Sequence, residues 1–508
     1  MLLLGIDLGT SAVKVSVINA ESQHIVASAS YPETEAEIIS LKTGWAEQSP
    51  DTWWENVKQA VLKCNATAKY NPKDIGAIGI AYQMHGLVLM NSEGQVLRNA
   101  IIWCDSRAVA LGKAAFEALG AQYCLQHLLN SPGNFTASKL AWVKQNEPAI
   151  YEKIHRVLLP GDFIAFKMTG DYTTTISALS EGVFWDFRRH RISPELMQYY
   201  GFDLAHLAPI KPVFDIHGFL KDALAAQLNL TAGIPVAYKA GDQPNNALAL
   251  NVLQPGEVAA TAGTSGVIYG VSNILQPDPQ SRINNFAHVN YAPEAEASIG
   301  VLLCINGTGI FNRWIKNIAG DHNTYAAVNE RAAQAPTGAN GLLALPFGNG
   351  AERILNNKIM GGQFLNIDFN IHSTAHMLRA AQEGIAFSLR YGLDIMRENG
   401  IQPRVVRAGK ANLFLSDLFA QTFASTNNVT LEFYEGDGSF GAAIGAGIGA
   451  KIYASATAAS AQRQPIGSVQ PRETDRLEEL YQNWKAQLQT QMANLPNTTL
   501  QKHQSDIS

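Results

Sequence analysis

The chain has 508 residues, 46% of them hydrophobic and 16% charged, and a net charge of −5. That length exceeds what one core usually supports, so two or three domains are expected. The charge balance carries no footprint for nucleic acid, no run of about 18 apolar residues offers a membrane span, and four scattered cysteines without a Cys-x-x-Cys pair fit the cytoplasm.

From the amino terminus, residues 2–8 are apolar and residues 13–19 alternate, which predicts two strands joined at Gly9-Thr10-Ser11. Asp7 breaks the apolar run. A carboxylate at the end of a buried strand is costly unless a cation or strong donors meet it. The amides of the turn, with the hydroxyls of Thr10 and Ser11, form a cradle for an oxyanion; a plain hairpin with Asp7 capping its turn is the alternative. Next, Gly44-Trp45-Ala46-Glu47-Gln48 precedes Ser49, Pro50 and Asp51, which read as the start of a helix running to about Lys69.

Residues 75–81 form a buried strand that runs into Gln83-Met84-His85-Gly86, and 101–107 form another, ending in Asp105 and Arg107. Polar groups at the carboxyl ends of such strands stand where ligands bind in α/β sheets. His85, Trp103 and Asp105 supply the imidazole, aromatic face and carboxylate that suit a polyhydroxylated ligand, although Asp105 and Arg107 equally suit an ion pair with one another. Helices are expected over 108–119, 136–145 and 161–168, followed by a polar, looped stretch. The apolar run 233–240 ends in Gly241-Asp242-Gln243, with a helix over 246–253, so Asp242 can also be an ordinary N-cap.

Gly263-Thr264-Ser265 then repeats Gly9-Thr10-Ser11 about half the chain further on, and the valines that follow coincide, Val13 with Val267 and Val17 with Val271. This repetition reads as two related halves, each presenting a Gly-Thr-Ser turn to a ligand in the cleft between them. In the second half, Ile305-Asn306-Gly307-Thr308-Gly309 leads to a helix over 311–318. Residues 346–353 read as loop, 374–399 as a long helix, and 405–412 as a strand and turn carrying Gly409, Lys410 and Asn412. A helix over 413–425, a strand over 429–434 and a small-residue helix over 440–453 follow. The stretch from 455 is polar, with a last helix near 473–489 and a frayed end.

Two motifs are set aside. Gly436-Asp437-Gly438-Ser439-Phe440-Gly441 fits the dinucleotide pattern, but the acid expected about 20 residues later to bind a ribose is missing. His372 and His376 are spaced i, i+4, yet Ser373 stands where a metalloprotease needs its Glu, so they read as a surface helix. Neither a Gly-x-x-x-x-Gly-Lys-Ser/Thr loop nor the protein-kinase motif set occurs.

Two cradles, an acid at a strand end beside each, and a third glycine turn at Ala408-Gly409 describe a nucleotide held across a cleft. Phosphoryl transfer needs donors to the phosphates, a metal to neutralise charge and a base to align the attacking hydroxyl. Asp7 suits Mg²⁺, which keeps much of its water. Asp242 suits the base, within hydrogen-bond reach of a sugar hydroxyl.

These residues resemble the FGGY carbohydrate kinases of the actin/hexokinase/Hsp70 superfamily, most closely the xylulokinase branch. Gly5 to Ser11 is similar to the family's first phosphate motif, Gly44 to Trp54 to its Gly-Trp-x-Glu-Gln-x-Pro-x-x-Trp-Trp signature, and Gln83 to Gly86 to a sugar motif. Trp103 to Arg107 resembles Trp-x-Asp-x-Arg, Gly241-Asp242 the catalytic acid, and Ala262 to Gly266 the second phosphate motif. The resemblance implies two ribonuclease H-like domains, each a five-stranded mixed sheet with flanking helices, about a cleft: residues 1–250, residues 251–455, and a helical tail over 456–508. It implies ATP and Mg²⁺ as cofactors and Asp242 as catalytic base. Met84, His85, Trp103, Asp105, Asp242 and Gln243 would meet the sugar. Gly9, Thr10, Ser11, Lys14, Gly263, Thr264, Ser265, Gly309, Gly409, Lys410 and Asn412 would hold the nucleotide, and Asp7 the metal.

The implied activity moves the γ-phosphoryl of ATP to a terminal hydroxyl of a ketopentose, D-xylulose first. The partners are then the small-molecule sugar and ATP, with no nucleic acid or membrane, and a homodimer is the common state. Two departures stand out: Asp242-Gln243-Pro244 replaces the usual Asp-Asn-Ala, and 407–412 replace the usual Gly-Gly-Gly-Ala-Lys-Ser. Other ketoses, polyols and sugar acids are the alternative acceptors. A chaperone-like or cytoskeletal ATPase and a catalytically silent sugar sensor are the rivals from other classes.

Overall fold

Strand pairing in the computed structural model, which describes residues 1–320, 324–461 and 463–495, follows one plan twice. In the first half, Leu2–Leu8 pairs antiparallel with Val13–Asn19, which pairs antiparallel with Ile25–Tyr31. On its other side Leu2–Leu8 runs parallel to Ile75–Tyr82, which runs parallel to Pro235–Gly241. In the second half, Val258–Ala262 pairs antiparallel with Gly266–Ser272, and that strand pairs antiparallel with Ile299–Ile305. Val258–Ala262 then runs parallel to Val405–Gly409, and Val405–Gly409 parallel to Thr430–Tyr434. The repeated Gly-Thr-Ser turns therefore join equivalent strands of two equivalent sheets.

The expected five strands are each sheet's core rather than its whole. The first sheet has six strands and the second seven. The additions are short antiparallel edge strands, Gly218–Phe219 in the first sheet, Asn284–Ala287 and Gly467–Val469 in the second. An uncovered outer strand presents unpaired amides and carbonyls, and a few residues of antiparallel chain satisfy them. The last addition draws the polar tail into the second sheet. Its helix, Thr474–Ala493, buries Tyr481 and Trp484, and Trp484 Nε1 donates to Ala344 O at 2.8 Å. The expected frayed end lies outside the described residues.

Most other elements follow the expected order, with four differences. Of 101–107 only Ile101 is strand, at the end of Ala100–Ile101, and the chain then turns at Trp103 and Cys104. The looped stretch before residue 233 holds the helices Ile176–Glu181, Pro194–Tyr200 and Asp222–Gln227. Residues 346–353 are no free loop. Leu343–Glu352 pairs with Lys358–Leu365, and the glycine-rich run is absorbed by a register shift between Phe347 and Ala351. Finally, the helix after Gly241 is Asp242–Ala249, four residues earlier than expected, with Gly241 rather than Asp242 as its N-cap.

The small-residue helix is Gly438–Gly449, which follows the second half's last core strand but lies on the first sheet. Backbone meets backbone there: a β-carbon at Gly5 would collide with Ser439 O, one at Gly79 with Ala442 O, and one at Gly449 with Ala237 O. Glycine is required on both sides of this contact for that reason. Among the described residues no helix is long and apolar enough to cross a membrane, and all four cysteines are unpaired.

Candidate functional site

The carboxyl ends of the two equivalent first strands open onto one cavity. Asp7, from the first, and Thr261 and Ala262, from its twin, line a space of about 230 Å³ with Asn246, Gly409, Asn412, Asp437 and Gly438. A second cavity of about 280 Å³ shares Ala262 and Asn412 with it and continues past Gly263, Thr264 and Gly309 to Arg313, Tyr325 and Asn329. Together they form an elongated trough beneath the second Gly-Thr-Ser turn.

Hydrogen bonds brace that turn. Gly309 N donates to Gly263 O at 3.0 Å and Ile310 N to Thr264 O at 3.1 Å, so the helix Gly309–Ile318 starts directly against it. A β-carbon at 309 would collide with Gly263 O. Thr264 is exposed at the tip, and Asn412, with a left-handed backbone (φ 54°), brings its amide beside Gly263. Gly409 ends its strand at the trough. Lys410 points elsewhere: it is exposed, with its ammonium 5.7 Å from the centre of the Phe433 ring, and lines neither cavity.

The first turn is tied to the sugar-motif side. Thr10 Oγ1 donates to Gln83 Oε1 at 3.1 Å and accepts from Trp103 Nε1 at 2.9 Å. Gln48 links the same groups, donating to Thr10 O and accepting from Gln83 Nε2 and Trp53 Nε1. The Gly44–Trp54 signature is thus scaffolding between two strand ends. Gly9 and Ser11 complete the turn, and Lys14, exposed on the next strand, pairs with Asp437 at 3.3 Å. Burial raises the Asp7 carboxyl to about 6, with Asp437 pushing the same way and Lys14 opposing. A β-carbon at Gly438 would collide with the Asp7 carboxylate.

Asp242 begins its helix directly after the strand Pro235–Gly241 and is half-buried. Burial lifts its carboxyl to about 7, the nearby Asp7 adds to the lift, and hydrogen bonds from Gln243 oppose it. A carboxylate titrating near neutrality at a strand end fits a general base.

Behind Asp242, Met84 and the carboxyl of Glu181 press against Gly241. His85 has a left-handed backbone (φ 62°), a strained conformation for a non-glycine residue. Burial, then the Lys139 ammonium and more weakly the Arg353 guanidinium, push its imidazole down to about 3. The ring is therefore neutral, and since Glu181 O at 3.0 Å can only accept, Nδ1 carries the proton and Nε2 is left as an acceptor. Phe135 and Phe286 pack against it at 4.8 and 5.3 Å between ring centres.

Asp105 departs from its expected sugar contact. It is fully buried, and its oxygens accept from Ala46 N at 2.6 Å, Arg107 N at 2.8 Å and Arg107 Nε at 2.9 Å. The internal ion pair is what forms, with the Arg107 guanidinium 3.8 Å from the centre of the Trp45 ring and 4.9 Å from that of Trp142. Asp105 holds the loop bearing Trp103, whose side chain is exposed.

Several site residues were not singled out in the sequence. Asp437 belongs to the run set aside as a dinucleotide decoy; in the fold it caps Gly438–Gly449, accepting from Ser439 N and Phe440 N, beside Asp7. Asn246, Asn312, Arg313, Tyr325 and Asn329 lie on helices whose faces only the fold reveals. His372 and His376 sit at the start of the helix Thr374–Glu398 with their ring nitrogens bonded to Asp368, Asn340 and Ser373, a satisfied surface pair as expected.

Comparison with known proteins agrees with this geometry. Residues 2–249 match the N-terminal domain, and residues 258–450 the C-terminal domain, of the FGGY family of carbohydrate kinases. The chain belongs to that family, and so is an ATP-dependent phosphotransferase acting on a sugar hydroxyl. It is 30% identical to the xylulose kinase of Bacillus subtilis over 403 residues, 78% of each chain. It is 29% identical to that of Escherichia coli over 458 residues, 89% of this chain and 90% of the other. The crystal structure of a xyloylose kinase from Brucella ovis superposes with a TM-score of 0.86 at 27% identity, covering 97% of this chain and all of that one.

Proposed function

We propose that the acceptor is D-xylulose, phosphorylated on its terminal hydroxyl to D-xylulose 5-phosphate. The observation that carries the reading is the meeting of a half-buried acid near neutral pKa, Asp242, with a neutral imidazole acceptor, His85, at adjoining strand ends. The names of the relatives support the choice of sugar. Met84, His85, Trp103 and Gln243 orient the ketose, and Asp105 acts through the loop it anchors. Asp242 takes the proton of the attacking hydroxyl. Thr10, Ser11, Gly9 and Lys14 meet the terminal phosphates from one side, and Gly263, Thr264, Ser265 and Gly309 from the other. Gly409 and Asn412 flank the nucleoside, and Lys410 acts only through the charge it adds at the rim.

Asp7, with Asp437 beside it, is an all-oxygen donor set that suits Mg²⁺ held largely through water. When bound, the ion would neutralise charge on the transferring phosphates. Free cysteines and dependence on ATP support a cytoplasmic setting. Gln243-Pro244, where the branch has Asn-Ala, favours testing other acceptors in parallel.

The test is ADP release from ATP with a panel of ketoses, polyols and sugar acids. The largest kcat/KM is expected with D-xylulose. A polyol or sugar acid in first place replaces the substrate, ADP release without any sugar favours an ATPase, and no release favours a sensor.

A further inference from the structure

The strand Leu343–Glu352 ends in Glu352, followed by Arg353. Glu352 is fully buried and accepts from Asn306 N at 3.0 Å and Gly307 N at 3.1 Å. The next two residues, Thr308 and Gly309, close on Gly263 and Thr264 of the second phosphate turn. Arg353 is thereby fastened to the phosphate turn through its neighbour.

Its side chain reaches the other way. The guanidinium lies 6.0 Å from the centre of the Phe135 ring, in the first half of the chain, and Phe135 packs edge-on against His85. Among the described residues this guanidinium, half-buried, has no carboxylate in ion-pair distance and no hydrogen-bond acceptor; the Cys304 thiol is the group whose charge acts on it. Burial holds its basicity below the ordinary arginine range. A cation–π contact at the limit of its range is too weak to offset the desolvation of an unpaired ion. The arrangement is balanced only when an anion arrives. The anion at hand between a phosphate turn and a sugar motif is the phosphoryl group itself.

We propose that Arg353 is a catalytic residue whose guanidinium binds the phosphoryl group during transfer and on the newly formed sugar phosphate. This rests on the reading of Asp242 as the base. The sugar oxygen bonds to the γ-phosphorus as Asp242 takes its proton. The bond from that phosphorus to the β,γ-bridging oxygen breaks, its electron pair leaving on ADP. Arg353 keeps all its protons and donates hydrogen bonds to the non-bridging oxygens, a planar two-pronged match for phosphate.

The experiment compares the full-length protein with R353Q, R353K and D242N, using D-xylulose, or whichever acceptor leads the panel, and its phosphate ester. R353Q is expected to lower kcat by about 10²–10³-fold while the KM for ATP moves less than about threefold. Inhibition by the sugar phosphate should weaken about tenfold, with R353K recovering part of both losses. Unchanged kcat and product inhibition in R353Q overturn the proposal. A loss seen only with sugar acids also overturns it, assigning the guanidinium to a substrate carboxylate instead. If R353Q does not fold, R353K is read alone: a kcat within twofold of the parent and an unchanged inhibition constant reject the role. Full activity in D242N refutes the base assignment whatever the arginine variants do.

Discussion

Gly309 N lies 3.0 Å from Gly263 O, a hydrogen bond that presses the start of one helix against the turn meant for phosphate. No β-carbon fits at 309 without moving that turn. Gly309→Ala should therefore raise the KM for ATP about tenfold or more, ~1.4 kcal/mol, and leave the KM for sugar nearly unchanged. Steady-state kinetics with each substrate varied in turn checks this.

Asp242 sets a pH limb. With its carboxyl near 7, kcat/KM should climb with pH through about that value as the base ionises. Asp242→Asn should remove about 10³-fold of kcat and abolish the limb, with ATP binding retained. A pH–rate profile of both proteins, with calorimetric titration of ATP, gives the outcome.

The same acid carries a stability consequence of opposite sense. Its folded value of about 7 stands above the ordinary 3.8, so the folded state holds its proton more tightly. The stability this supplies is complete below about pH 4 and is lost as pH rises through 7. Asp242→Asn should accordingly melt higher than the parent at pH 8, by about 2–4 °C for each kcal/mol of strain relieved, and lose that advantage toward pH 4. Asp7, at about 6, should behave alike over a narrower window. Melting temperatures of the ligand-free proteins across pH are the measurement.

His85 offers Nε2 as an acceptor and stays neutral down to about pH 3. His85→Ala should raise the KM for sugar about five- to tenfold without shifting the acid limb assigned to Asp242.

Divalent metal is the remaining requirement. EDTA should abolish turnover, and Asp7→Asn should raise the Mg²⁺ concentration for half-maximal rate about 10–100-fold. A titration of rate against Mg²⁺ distinguishes this from loss of fold.

The doubled plan was legible in the sequence because the same Gly-Thr-Ser turn stands at 9–11 and 263–265, and the valines after each keep the strand period. The edge strands were not, since two to four residues carry no period. Asp105 illustrates a different limit. Its spacing from Arg107 allows both an ion pair and a ligand contact, and only the burial of Asp105, with Trp45 and Trp142 beside the guanidinium, decides for the pair. Arg353 was hidden inside a glycine-rich segment read as loop, whose pairing with Lys358–Leu365 depends on a bulge. Asp437 was dismissed with the motif around it because its partner, Asp7, stands at the opposite end of the chain.

The helix Gly438–Gly449 has a bearing on how this protein is made. Its sheet opens with Leu2–Leu8, yet the element that roofs one face of that sheet, Gly438–Gly449, is translated more than 400 residues later. Until then the nascent opening strands stand bare on that side, so a fragment ending near residue 250 should be insoluble, and co-expressing the remainder should rescue it.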